Sequence, residues 1–568
     1  MLRRTETPLI TTIKERCRVC YTCVRECPAK AIRIVEGQAE VISERCIGCG
    51  NCVKVCSQHA KRVLSSVFKV SDILESGGEV AVCVAPSFAA EFTEYDHMTL
   101  CGMLRRLGFK HVHEVAFGAD LVARAYHKLV EERPDGNFIA TTCPSVVAYV
   151  ERYYPKLVAN LAPIVSPMVA LARFLRRMYG RDTKIVFIGP CIAKKGEADS
   201  CSLPGEVDAV LTFVELRQMF EDKGIKAEDA ERSDFDPPYA GEGALFPISR
   251  GLLQAAEIDE NLITDDVVVA DGRTGFVDAI KDCDSGNLKA RLLEVLCCNG
   301  CIMGAGMTST EAPYSRRAQV SRYVRWRIAH PDGEISDKAR VSLDNLDLSR
   351  SFRTDDQRVQ TPSADEVRRI MSRMGKQRPE DELNCGACGY ETCLEHAEAI
   401  FKGLAESEMC LPFTIEQLRR TVGELAVSNE KLASAREALV QSEKLATMGQ
   451  LAAGIAHEIN NPLGVVLMYA HILMEEGCST SGVREDLQMI VEQADRCKKI
   501  VAGLLHFARR NKVVRQPVNV REMLEAALRT VPIPENVNVE IIDRLGDSPE
   551  AELDRDQMIQ ALTNLISN

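Results

Sequence analysis

The sequence predicts a multidomain fold. It comprises a small α+β cysteine-rich domain, an α/β core, a small α-rich cysteine domain, a coiled coil running into an antiparallel helical hairpin, and an incomplete α/β sandwich. Three observations predict this. Most of the 23 cysteines fall in short repeated spacings ahead of Leu411. Residues 78–310 alternate short β-branched runs with helical stretches. From Ile415 the apolar repeat becomes seven residues. A length of 568 residues allows roughly four domains.

Composition narrows the function classes. Apolar content of 46% is enough for several cores. A net charge of −12 argues against a nucleic-acid footprint, which needs a basic face. No apolar run reaches the roughly 18 residues of a membrane span, and Met1-Leu-Arg-Arg-Thr-Glu lacks the apolar core of a signal peptide. The chain reads as cytoplasmic, where crowded cysteines are metal ligands rather than disulfides.

The first domain spans residues 8–66. Cys17-x2-Cys20-x2-Cys23-x3-Cys27-Pro is followed by Cys46-x2-Cys49-x2-Cys52-x3-Cys56. Two-residue gaps let three thiolates reach three corners of a cubane, and the fourth crosses to the other cluster. Cys17, Cys20, Cys23 and Cys56 therefore hold one 4Fe–4S centre; Cys46, Cys49, Cys52 and Cys27 hold the second. Ala31–Ile42 reads as a hairpin turning at Gly37. The pattern resembles bacterial two-cluster ferredoxins, with Ser57 where proline is usual. Zinc is the competing use of four-cysteine sites.

In residues 78–345, Val80–Ala85 and Lys184–Gly189 read as buried strands, and Met98–Leu107 and Val165–Tyr179 as helices. Three sites carry cysteines beside Pro or Gly: Thr141-Thr-Cys143-Pro, Gly189-Pro-Cys191-Ile-Ala-Lys194, and Cys297-Cys298-Asn-Gly-Cys301. With Val84–Ser87 and Phe117–Asp120, they resemble the H-cluster domain of FeFe-hydrogenases. The resemblance implies a 4Fe–4S cluster on Cys143, Cys191, Cys301 and a fourth cysteine, with Cys301 bridging to a di-iron subsite bearing CO and cyanide. The spacing of catalytic members selects Cys297 as the fourth, and that of sensory relatives selects Cys298; Cys298 is taken here. Lys194 would donate to a cyanide, and Glu197 occupies a place used in proton relay. Thr142 stands where fast members carry a proton-passing cysteine, and its hydroxyl is a poor general acid. Met168 stands where fast members often carry Gln. Turnover is expected to be slow.

After a polar, Arg-rich connector (about Ser315–Pro362), residues 362–412 carry Cys385-x2-Cys388-x4-Cys393-x16-Cys410. This resembles a small 4Fe–4S domain of redox enzymes, with helix Leu394–Glu408 returning the fourth thiolate. Zinc again competes. Cys83, Cys101, Cys201, Cys283, Cys478 and Cys497 read as packing residues, as does the spare member of the Cys297/Cys298 pair.

Residues 413–447 place Leu418, Leu425, Leu432 and Leu439 at heptad spacing, with Ile415, Val422, Asn429 and Arg436 interleaved. This is a parallel two-stranded coil with one buried Asn fixing register. Residues 448–510 include Ala456-His457-Glu458-Ile-Asn-Asn-Pro462-Leu, which resembles the H-box of dimeric histidine kinases. The resemblance makes His457 the phosphoacceptor and Glu458 its proton partner. Pro462 is a hinge, and Val483–Arg509 the second helix of a four-helix bundle in the homodimer. Residues 515–568 read as helix Asn519–Val531, strand Val537–Asp543 and helix Arg555–Asn568. Asn564 and Asn568 resemble the N-box that meets Mg and ATP, so the sequence reads as a fragment of a longer kinase.

The combined expectation is a redox- or hydrogen-sensing histidine kinase. Its expected partners are a response regulator, H2 or an electron donor or acceptor, and no nucleic acid or membrane. A slow hydrogenase with a kinase remnant and a scaffold lacking the di-iron subsite are the alternatives.

Overall fold

A computed structural model describes residues 8–330, 343, 346–475, 481–508, 515–531, 539, 540, 542 and 550–567. The chain divides into two units, Met1–Leu418 and Arg419–Asn568.

The first unit opens with β1 (Ile10–Thr12), β2 (Ile32–Val35), β3 (Gln38–Val41) and β4 (Lys61–Val63), paired antiparallel as β1 with β4 and β2 with β3. Glu36 and Gly37 are both left-handed, at φ 50 and 68. They form the two-residue turn whose twist suits a hairpin, at the expected position. Each cysteine run bends through left-handed residues at matching positions: Val19 and Gly48, Tyr21 and Gly50, Lys30 and His59. The two runs therefore fold alike.

The core holds seven parallel strands: β5 (Val80–Val84), β6 (His111–Glu114), β7 (Phe138–Ile139), β8 (Lys184–Gly189), β9 (Ala209–Thr212), β10 (Val267–Asp271) and β11 (Leu292–Leu296). One sheet runs β6-β5-β8-β9 and the other β10-β11-β7. All five residues of β5 are buried, as expected for a parallel strand covered on both faces. Helices α1 (His97–Leu107), α2 (Val115–Glu132), α3 (Pro144–Tyr153), α4 (Pro167–Tyr179) and α5 (Ala193–Ala198) flank the sheets. An added Cβ at Gly118 of α2 would meet the Pro167 carbonyl oxygen of α4 at 2.4 Å, so this approach requires glycine.

The expected connector is corrected at its start. Pro313–Ala329 forms helix α6. Arg316 is buried and donates to backbone oxygens of Ile302 and Glu311. Arg327, 1% exposed, forks onto Asp234 at 2.6 and 3.0 Å beside Tyr239 and Trp326. Arginines that look like linker composition are buried here through ion pairs and aromatic faces.

In the third domain α7 (Ala364–Arg373) packs Val367 and Met371 against Ala397 of α8 (Cys393–Phe401). The helix expected to reach Glu408 stops at Phe401, because Gly403 turns left-handed (φ 66). A 3-10 turn, Ser407–Met409, then delivers Cys410.

Helix α9 (Leu411–Glu475) is continuous for 65 residues, with Pro462 inside it. In the second unit, α10 (Ser481–Ala508) packs Leu487 and Val491 against Leu467, Ala470 and Met474. Strands β12 (Gln516–Asn519) and β13 (Glu550–Leu553) pair antiparallel beside α11 (Val520–Thr530) and α12 (Arg555–Ser567). Asn519 caps α11 by accepting from the Arg521 and Glu522 amides. Asn568, Cys478, Arg509 and most of the strand expected at Val537–Asp543 lie outside the described residues.

Candidate metal centres and phosphoacceptor helix

The core cysteines sit at the carboxyl ends of three parallel strands, where open α/β sheets bind ligands. Cys143 follows β7 and caps α3. Cys191 follows β8, and Cys298 and Cys301 follow β11. Gly300 makes the last turn at φ 77, and an added Cβ there would lie 2.8 Å from the Pro247 carbonyl oxygen.

The thiols converge. Burial pushes Cys301 up to about 12, and neighbouring Cys191 and Cys143 add to it. Cys298 is pushed well up by burial, then by Cys191, Cys143, Cys301 and Cys49. Cys297 is instead buried in the apolar cluster against which Cys49 of the first domain packs. The Cys143, Cys191, Cys298 and Cys301 set therefore fits a cluster whose metal would hold the thiolates deprotonated.

Cys191 and Cys301 also line a largely apolar cavity of about 80 Å3, with Thr142, Met168, Lys194 and Glu294. Lys194 Nζ donates to Glu197 Oε2 at 2.6 Å, Ser166 Oγ donates to the same oxygen at 3.1 Å, and Arg350 donates to Oε1 at 2.8 Å. Burial raises the Glu197 pKa, but the Lys194 and Arg350 charges outweigh it and hold the carboxyl below its ordinary range. In this arrangement Glu197 is an ionised clamp that orients Lys194. A di-iron subsite bound here would supply hydrogen chemistry; the chain's contributions are the cavity wall and the Lys194 ammonium.

Glu294 was not among the expected site residues. It is buried on β11 and caps the Arg250–Leu253 turn, and burial raises it to about 7. A lone acid inside Leu292-Leu-Glu-Val-Leu296 was the available signal.

In the first domain the structure brings together the two expected sets. Burial raises Cys23, with Cys17, Cys20 and Cys56 as the thiol neighbours. Cys52 is raised by burial and by Cys27, Cys49 and Cys46. Amides of Ala31 and Ala60 donate to Cys27 Sγ and Cys56 Sγ, both at 3.3 Å. Such N–H bonds to sulfur tune cluster potentials.

In the third domain Cys385, Cys388, Cys393 and Cys410 all line one pocket with Tyr390 and His396. Among the described residues, no three His, Cys, Asp or Glu side chains are drawn together tightly enough to hold a single metal ion.

Two cysteines expected to pack do not: Cys201 and Cys497 are exposed, while Cys83 and Cys101 are buried. His457 and Glu458 lie exposed on α9, and Asn564 is exposed on α12.

Residues 78–305 match the family described as iron only hydrogenase large subunit, C-terminal domain. Residues 9–57 match a 4Fe-4S dicluster domain, and 381–412 match an Fe-S cluster domain. Residues 447–512 match the His Kinase A (phospho-acceptor) domain. The chain fuses a hydrogenase-like domain and Fe-S domains to a His Kinase A domain. The fusion is 26% identical over 330 residues to iron hydrogenase 1 of Clostridium pasteurianum, covering 48% of this chain and 57% of that protein. It is 30% identical over 158 residues to a C4-dicarboxylate transport sensor protein of Rhizobium meliloti, covering 27% of this chain and 25% of that protein. An FeFe-hydrogenase structure from Chlamydomonas reinhardtii aligns at TM-score 0.41 and 20% identity, covering 52% of the fusion and 100% of that chain. The matched part is thus little more than half of the hydrogenase and a quarter of the sensor protein.

Proposed function

We propose that the fusion is the input and phosphoacceptor part of a histidine kinase that responds to hydrogen or redox state. One observation carries this reading. Cys410, the last thiol of the third-domain set, directly precedes the single helix that bears His457. A change of cluster charge at Cys410 would act on the first turn of that helix. Coupling requires two helix arrangements differing by about 1–3 kcal/mol between oxidised and reduced states.

His457 is the proposed phosphate acceptor from ATP, with Glu458 taking its proton, and a response regulator the next carrier. The exposed heptad leucines support a homodimer. Among the described residues no helix is long and apolar enough to cross a membrane. Slow hydrogen turnover is the second reading, favoured by the cavity that holds Lys194 beside Cys301.

The test uses the chain with a complete ATP-binding domain. His457 should be phosphorylated at different rates in oxidised and hydrogen-reduced protein, and His457→Gln should abolish the label. Equal rates in the two states would refute the sensor reading.

A further inference from the structure

The third domain does not hang from the chain; it is packed onto the first. Gly389 is left-handed (φ 92), and an added Cβ would stand 3.1 Å from the Arg25 amide. The Leu404 carbonyl accepts from the Ile34 amide, and Glu406 accepts from the Glu36 amide. Tyr390, 5% exposed, enters the same apolar cluster as Val24, Ile32 and Cys388, against which Cys27 packs. Lys30 ties the junction together. Its amide donates to the Cys27 carbonyl oxygen, its ammonium donates to the Gly389 carbonyl oxygen at 3.4 Å, and the same ammonium lies 5.4 Å from the Tyr390 ring centre. Charge on Cys388 and on Cys27 both reaches the Tyr390 hydroxyl. The same cysteine set also meets the core, where Cys49 packs against the apolar cluster that contains buried Cys297, Val146 and Val295.

We propose that the Cys27, Cys46, Cys49 and Cys52 set is the redox junction of this chain, facing the core through Cys49 and the third domain through Cys27, with the Tyr390 ring as the medium between Cys27 and Cys388. This rests on the sensor reading and specifies its wiring. A single electron from a low-potential donor crosses, oxidising one cluster and reducing the next; no bond or proton changes at Tyr390. The Cys17, Cys20, Cys23 and Cys56 set is then a side branch. The Tyr390 hydroxyl has no hydrogen-bond partner among the described residues, so the ring, not the hydroxyl, is what the route needs. The competing serial route would pass Tyr21, which is half-buried and also within reach of Cys388.

The experiment uses cluster-reconstituted full chain reduced with dithionite and read by EPR. Magnetic splitting of the third-domain signal should persist in Cys17→Ala/Cys20→Ala and be lost in Cys49→Ala/Cys52→Ala while that signal itself remains. Splitting that disappears with the Cys17 and Cys20 set would overturn the junction. Radiolytic reduction of frozen oxidised protein, followed by annealing, reads transfer directly. Tyr390→Phe should transfer as the parent does, and Tyr390→Leu, with iron content intact, should lose transfer. Unimpaired transfer in the Leu variant would remove Tyr390 from the route. Neither readout involves ATP or His457, so this proposal and the kinase reading fail separately.

Discussion

Lys194 and Glu197 meet at 2.6 Å one turn beyond Cys191, and Arg350 closes the other carboxylate oxygen at 2.8 Å. Both side chains of the first pair are buried, so the acid holds two cations out of water. Glu197→Gln would leave those cations without a counter-charge. Removing one partner of a buried ion pair costs about 3–5 kcal/mol. The expected outcome is a loss of that order in the unfolding of cluster-free protein, measured by denaturant titration of the first unit. A change below about 1 kcal/mol, the level of an exposed pair, would mean the cations find other partners.

Thr142 shares the cavity wall with Cys301 and Lys194. Thr142→Cys would place a thiol of ordinary pKa about 8.5 there, able to exchange protons near neutrality where a hydroxyl cannot. Positioned proton transfer contributes about 10²-fold or more. Hydrogen evolution should rise by about that factor in protein with its di-iron site loaded. No gain under those conditions would show that proton passage at Thr142 is not limiting.

Cysteine spacing was legible because a cluster constrains neighbours in sequence. The structure places the thiols of each first-domain set near one another and lines one pocket with the four of the third domain. Strands such as Val80–Val84 were legible from continuous burial. What escaped is tertiary. Arg350 reaches Glu197 from far along the chain, and Arg327 finds Asp234, so arginines of a supposed connector are core residues. Gly403 ends α8 early because only the fold demands its left-handed turn. Adjacent Cys297 and Cys298 differ in which thiols they face, a choice that composition cannot express.

Glu114 supplies a pH test within the α/β core. Buried on β6, it accepts from Tyr323 Oη at 2.8 Å. Burial raises it to about 7; Tyr323 and Arg327 oppose that, while Asp120 and Asp234 add to it. The folded state therefore holds a proton that the unfolded chain releases at its ordinary value of 4.5. Stability is greatest below the ordinary value and falls as pH rises through about 7. Glu114→Gln should flatten this part of the profile, measured by denaturation of cluster-free protein across that window. An unchanged slope would show that Glu114 stays ionised in the fold.

The third-domain pocket gives a metal prediction. Cys393→Ser should lower bound iron by about four per chain, one cubane, and leave the other clusters in place. Iron analysis with Mössbauer spectroscopy on anaerobically reconstituted protein checks this. Stoichiometric zinc in the parent chain, lost on the same substitution, would replace the cubane by a structural zinc site.

The heptad leucines set the last test. Leu418, Leu425, Leu432 and Leu439 are 63%, 61%, 65% and 70% exposed on α9. A single chain leaves this apolar seam in water. Burying one leucine contributes about 1.5–3 kcal/mol, so four paired across two helices outweigh the cost of association. Asn429, interleaved at the other seam position, would favour a parallel two-stranded register. Leu425→Asp with Leu432→Asp puts like charges into the centre of that seam. The chain should sediment as a dimer at micromolar concentration, and the double variant as a monomer with its iron content unchanged. In protein with a complete ATP-binding domain, the same variant should lose redox-dependent labelling of His457. A parent chain that sediments as a monomer would remove the coil as the carrier of the signal.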